Sequence, residues 1–185
     1  MATHRLTTSQ RRVQNLVRRH GTPIMAISRS ALKAQVDRFR RHLPRVAPYY
    51  AIKANPHPEV LKVMVAAGAG FDVASIGEIQ TALAAGAPPD RLIFANTIKP
   101  ASSIAAAVTH GVDLMTFDSE QELDKIAENA PGCRVIVRIK VPNIGSIVEL
   151  SLKFGIDPAD AIPLLIKAHH LGLKPAGVSF HVGSQ

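Results

Sequence analysis

Short apolar runs that alternate with helix-patterned segments constrain this chain more than any other feature. Six runs read as strands, at 48–53, 71–74, 92–95, 114–117, 135–139 and 177–182, with an earlier extended run at 23–27. Helical signals lie between them. Ser30 is placed to cap a helix carrying Leu32, Val36 and Phe39 that ends near Pro44. Pro58 opens a helix with Val60, Leu61, Met64 and Val65, and Gly68 fits its stop. Ser75 and Glu78 have the spacing of a capping box ahead of Ile79 and Leu83. Further helices reach His110 with Gly111 behind it, carry Leu123, Ile126 and Ala127, and span 161–171 before Gly172. A long loop is expected over 140–155.

Strands alternating with helices predict a parallel sheet covered by helices. The strand runs are nearly continuous hydrophobics, as expected when both faces are covered. No nucleotide-binding glycine signature follows the first strands, which argues against an open, doubly wound sheet. The expectation is therefore an α/β chain of the (β/α)8 barrel type. A complete barrel takes roughly 250 residues, so a chain of 185 residues with six such strands reads as a barrel truncated after about six strands. The expected organisation is a basic segment at 1–22, a strand and helix leading into the barrel at 23–45, and a partial barrel at 46–185.

Charge divides the chain the same way. Residues 1–45 hold eleven of the 22 Lys and Arg but only one acid, Asp37, so the net charge of +8 belongs to the leader. A basic arm can bind nucleic acid or anionic lipid by charge alone. With 4% aromatics, no Trp and no nucleic-acid-binding motif, the plainer expectation is a solvated N-terminal helix, with a transit peptide as the alternative. No apolar run is long enough to span a membrane. The single cysteine, Cys133, excludes an internal disulfide framework, fits a reducing compartment and precedes an apolar run, so it reads as a small core residue.

In β/α barrels, reactive groups sit at the C-terminal ends of strands. Here the strands end in Lys53, in Asp72 and Ser75, in Asn96, in Asp118, in Arg138 and Lys140, and in His181 and Ser184. Lys53 is the sharpest candidate: a partly desolvated amine is freed for Schiff-base chemistry. Its structural alternative is a rim lysine paired with Asp72 or Asp118. His181 reads either as a satisfied strand histidine or as a flat ring for a planar cofactor. Arg138 is either salt-bridged to a rim acid or placed for an anionic ligand. The capping box alone explains Glu78, and helix capping explains Asp118 and Ser119.

Tyr49-Tyr50-Ala51-Ile52-Lys53-Ala54-Asn55 resembles the Schiff-base lysine segment of the fold-type III pyridoxal-phosphate decarboxylases, whose barrel is alanine racemase-like. Gly70-Phe71-Asp72-Val73-Ala74-Ser75 with Glu78 resembles their second-strand motif. Phe94-Ala95-Asn96-Thr97-Ile98-Lys99, Thr116-Phe117-Asp118-Ser119, Arg138, Lys153-Phe154-Gly155 and Ser179-Phe180-His181-Val182-Gly183-Ser184 follow in the same order. The loop reading Val141-Pro142-Asn143-Ile144-Gly145-Ser146-Ile147-Val148 looks like that of the ornithine/lysine group rather than of the diaminopimelate decarboxylases.

The resemblance implies a decarboxylase acting on ornithine or lysine in polyamine biosynthesis, with pyridoxal 5'-phosphate as cofactor and no metal. It implies that Lys53 and His181 are catalytic, with Lys53 bonded to the cofactor and His181 stacked on its ring. Asp72, Glu78, Arg138 and Ser184 would complete the cofactor site. It also implies that the 23–27 run belongs to a second β domain. The full-length protein would be a cytoplasmic homodimer acting on a small basic amino acid, with no nucleic-acid or membrane partner, and this portion alone would be inactive. The rival expectations are a diaminopimelate decarboxylase, a non-catalytic regulatory relative, an aldolase-like Schiff-base barrel and a small cofactor-carrier barrel.

Overall fold

A computed structural model describes residues 8–142 and 153–183. The first helix, α1 (Thr8–His20), is basic and exposed along nearly all its length, the solvated arm that the charge pattern predicts. Residues 24–28 follow in an open conformation and form no ladder, so the extended run expected at 23–27 has no strand partner among the described residues. Its apolar side chains face solvent, Met25 at 83% exposure.

Helix α2 (Arg29–His42) is capped two residues earlier than expected: Ser28, not Ser30, accepts the Ala31 N–H at 3.3 Å. Either serine suits the role chemically, and the extended backbone at Ser28 decides it. The βα units then run β1 (Tyr49–Ala51), α3 (Pro58–Ala66), β2 (Gly70–Val73), α4 (Ile76–Ala84), β3 (Leu92–Phe94), α5 (Ala101–Thr109), β4 (Leu114–Phe117), α6 (Glu120–Asn129), β5 (Arg134–Arg138), α7 (Ala161–His170) and β6 (Lys174–Ser179). Helix signals in the sequence hold closely. Pro58 opens α3, Ser75 caps α4 through the Glu78 N–H, and Gly68, Gly111 and Gly172 leave their helices with positive φ.

All six strands are parallel, in the order β1-β2-β3-β4-β5-β6. A doubly wound sheet would reverse its order at a switch point; this one never does, which is how a barrel wall is built. Alternation along each strand sorts the two faces. Phe71, Val73, Leu92, Phe94, Met115, Phe117, Val135 and Val137 point outward against the helices and are essentially fully buried. Asp72, Ile93, Ile136 and Arg138 sit on the other face and are only half-buried. The helices therefore seal one continuous apolar layer outside the sheet, where each buried Phe or Leu contributes about 1.5–3 kcal/mol. The inner face remains available for chemistry. Cys133 is buried as expected, and burial pushes its thiol pKa up.

Most strands shift by a residue or so at an end, and two differ more. The first strand stops at Ala51, and the chain closes into a single 3-10 turn over Ile52–Ala54, with the Asn55 N–H bonded to the Ile52 carbonyl. The last strand starts earlier, at Lys174, and stops at Ser179, so His181 lies just beyond it. Of the expected 140–155 loop, residues 143–152 lie outside the described residues. Its return is pinned beside β5, where the Ile156 N–H donates to the Arg138 carbonyl and the Lys140 N–H to the Ile156 carbonyl.

Candidate active site

Period-two alternation delivers Asp72 from β2 and Arg138 from β5 to the inner face. The turns leaving the strands add the rest. A cavity of about 280 Å³ at the C-terminal rim is lined by Lys53, Asp72, Glu78, Asn96, Arg138 and His181, together with Ala74, Ala95, Thr97 and Phe154. A second cavity, of about 270 Å³, shares Asp72, Ala95, Arg138 and His181 and continues down the inner face to Thr116 and Tyr49. Of the residues singled out from sequence, Lys53, Asp72, Glu78, Arg138 and His181 thus meet at one opening. Ser184 lies outside the described residues.

Lys53 stands on the 3-10 turn rather than on the strand. It is exposed and makes no ion pair among the described residues, so the structural alternative of a lysine paired with Asp72 or Asp118 does not hold. Asp72 faces it. Burial raises the Asp72 carboxyl above its ordinary value; the Lys53 and Arg138 charges oppose that rise and Glu78 adds to it.

Glu78 has two duties. Its backbone N–H bonds to Ser75 Oγ at 3.2 Å, the serine half of the expected capping box, while its Oε2 accepts the Ala74 N–H at 2.6 Å, one residue before the N-cap N–H that the box would use. The same carboxylate nevertheless lines the cavity. Arg138 has no acid partner among the described residues. Its guanidinium lies over the Phe154 ring, 5.1 Å from the centroid, which leaves its donors available to an anion. His181 Nδ1 accepts the Gly183 N–H at 2.9 Å, which requires that nitrogen to be unprotonated and puts the ring proton of the neutral imidazole on Nε2.

Three polar rim residues do not join. Ser75 is spent on the α4 cap. Asp118 accepts the Gly155 N–H at 2.8 Å, anchoring the returning loop rather than capping α6, whose cap is Ser119. Lys140 is exposed and lines neither rim cavity. Two lining residues had no role assigned from sequence: Phe154, the platform for Arg138, and Thr97. Both stand inside motif segments, but the Phe154 contact is with Arg138, 16 residues away, which no local pattern reveals.

The description of the pyridoxal-dependent decarboxylases, pyridoxal binding domain, matches residues 29–185. The chain belongs to this decarboxylase family. A lysine/ornithine decarboxylase of Selenomonas ruminantium is 41% identical over 177 residues, covering 96% of this chain and 45% of that protein. An antizyme inhibitor 2 of Xenopus laevis is 44% identical over 147 residues, covering 80% of this chain and 32% of its own. A variant of the Selenomonas lysine decarboxylase solved with pyridoxal phosphate superimposes with a TM-score of 0.90 at 40% identity, covering all of this chain and 48% of that one. The chain spans less than half the length of these relatives.

A family whose model is described as a pyridoxal binding domain calls for a cavity able to hold that cofactor. The donor set here would suit it: among the described residues, an amine outside any ion pair, a guanidinium without a carboxylate partner, and a carboxylate, Asp72, facing the amine.

Proposed function

We propose that this chain forms the cofactor-bearing wall of a decarboxylase that converts ornithine or lysine to the corresponding diamine, in polyamine biosynthesis. The observation that carries the reading is the convergence of Lys53, Asp72, Glu78, Arg138 and His181, from four separate βα units, on one opening. When bound, pyridoxal phosphate supplies the electron sink that makes loss of carbon dioxide possible. Lys53 would hold the cofactor through Nζ. Asp72, its pKa raised by burial against the pull of the Lys53 charge, would sit beside that amine and influence its proton. His181 would offer a ring face with its Nδ1 already engaged by the Gly183 N–H, and Arg138, fixed on Phe154, would meet negative charge in the cavity. Ser184 belongs to this proposed cofactor site through the resemblance of the Ser179–Ser184 segment alone.

The substrate class rests on relatives: solved neighbours from Vibrio vulnificus are lysine/ornithine decarboxylases complexed with putrescine or cadaverine. The full-length protein is read as a cytoplasmic homodimer, in which the 23–27 run joins a second β domain and completes no site by itself. Among the described residues, no helix is long and apolar enough to cross a membrane. The test is to incubate the chain with pyridoxal phosphate, reduce with borohydride and map the peptides. A pyridoxyl mass on Lys53 is expected; none, or one on another lysine, overturns the proposal. Diamine release by the 185-residue chain alone is expected to be nil.

A second reading, a regulatory relative without turnover, is favoured by the 44% identity to an antizyme inhibitor. The full-length protein separates the two: carbon dioxide release from ornithine or lysine excludes the regulatory reading.

A further inference from the structure

Thr97 is 1% exposed, lines the cavity beside Ala95 and Asn96, and is the one residue whose buried side-chain oxygen lacks a hydrogen-bond partner among the described residues. A hydroxyl enclosed without a partner destabilises the fold, so such groups are rare in structures and mark places where a further group is due.

The segment that presents it is held with unusual firmness. Strands β3 and β4 share a single registered pair, Phe94 with Met115, fewer than any other neighbouring pair in the sheet. Beyond Phe94 the ladder gives out, and Lys99 takes over. Its fully buried ammonium donates to the Asn96 carbonyl at 3.0 Å and to the Thr116 carbonyl at 2.7 Å, bridging the ends of the two strands. Glu122, on α6, neutralises it at 2.8 Å and accepts the Lys99 backbone N–H at 3.1 Å. Lys125 closes the group from the outer side. Asn96 is pinned in turn by its amide, which donates to the Ile98 carbonyl at 2.7 Å. Asn96 and Lys99, which flank Thr97 in the chain, are thus occupied, whereas the Thr97 hydroxyl has no partner among the described residues.

We propose that the Thr97 hydroxyl hydrogen-bonds pyridoxal phosphate, at an acceptor atom of the cofactor, and that the buried Lys99–Glu122 pair is the positioning device that holds it there. The inference rests on the cofactor reading above. An apolar pair of similar volume would hold α6 to the sheet about as well. The buried ammonium also ties the Asn96 and Thr116 carbonyls together, which an apolar pair cannot do.

The experiment uses the 185-residue chain and two readouts: pyridoxal-phosphate affinity by absorbance titration, and thermal stability without cofactor. Thr97→Val removes the hydroxyl at nearly constant shape. Its affinity is expected to fall roughly three- to tenfold, the effect of one lost hydrogen bond, while its cofactor-free melting temperature stays level or rises. Thr97→Ser restores the affinity. Lys99→Met weakens binding further if folded; should it not fold, the Thr97 pair decides alone. Unchanged affinity in Thr97→Val, or a lowered melting temperature without cofactor, overturns the inference, the latter by showing a structural bond. Wild-type chain that binds no cofactor overturns the reading it rests on, a different result from binding that ignores residue 97.

Discussion

Replacing Lys99 by Met is the most demanding test of how the rim is built. The ammonium is fully buried and engages three oxygens: the Asn96 and Thr116 carbonyls and Glu122 Oε1. Burial lowers the Lys99 pKa, and the Glu122 contact opposes that fall. Methionine fills similar volume, so packing changes little. What is lost is the compensation of a carboxylate that is 2% exposed, together with the donors to two strand-end carbonyls. Breaking a buried pair by removing one partner costs roughly 3–5 kcal/mol. The Lys125 contact to the other Glu122 oxygen survives and pulls the figure towards the lower end. For a chain of this length that corresponds to a drop of about 6–20 °C in Tm. Urea melts followed by circular dichroism measure it, with Lys99→Met, Glu122→Leu and the double variant forming a cycle. A coupling above about 1.5 kcal/mol is expected. The double variant is expected to recover part of the loss and not all, because the Asn96 and Thr116 carbonyls and the Lys99 N–H remain without partners. A Lys99→Met variant within about 1 kcal/mol of the parent would refute the view that this ammonium holds the sheet together where the β3–β4 ladder fails.

Lys53→Ala is expected to abolish the pyridoxyl adduct trapped by borohydride while leaving the stability from urea melts within about 0.5 kcal/mol of the parent, since the side chain is exposed and makes no ion pair among the described residues. Asp72 has its pKa raised in the fold, so above about pH 3.8 the native state holds protons the unfolded state has released. Its contribution is therefore full at low pH and is lost as pH rises through the raised value. Asp72→Asn removes that dependence, and the stability of the variant relative to parent is expected to increase from pH 4 to pH 7 in denaturant melts without cofactor. Gly155 has φ +92°, and an added Cβ would meet the Ile139 carbonyl carbon at 2.8 Å and the Lys140 nitrogen at 2.9 Å. Gly155→Ala is expected to cost at least about 2 kcal/mol, from the left-handed backbone plus the clash, and to weaken cofactor binding by shifting Phe154 from under Arg138.

Much of this architecture is written in local chemistry. The alternation of apolar runs and capped helices names a covered parallel sheet without reference to any relative. The capping serine at position 75 and the stop glycines Gly68, Gly111 and Gly172 behave as local rules require, because a cap or a left-handed turn involves only residues a few positions apart. The rim candidates were legible for a similar reason. A polar residue ending an apolar run in a barrel strand has few places to point, and Lys53, Asp72, Arg138 and His181 all reach the opening.

Tertiary contacts decided the remainder. Ser28 prevails over Ser30, and the 3-10 turn takes Lys53 off the strand, through backbone geometry that composition does not specify. Asp118 looks like a helix cap but goes to Gly155, 37 residues on. Lys99 looks like a surface lysine, yet the sheet encloses it, because the group that makes its burial tolerable lies 23 residues away on α6. The sequence by itself determined the period of the strands, the ends of most helices and the identity of the groups that could react. Which of those groups share a cavity, and which are consumed in holding it open, depended on long-range pairing. A charge or a hydroxyl acquires its role only from the burial and the partners that the assembled sheet provides.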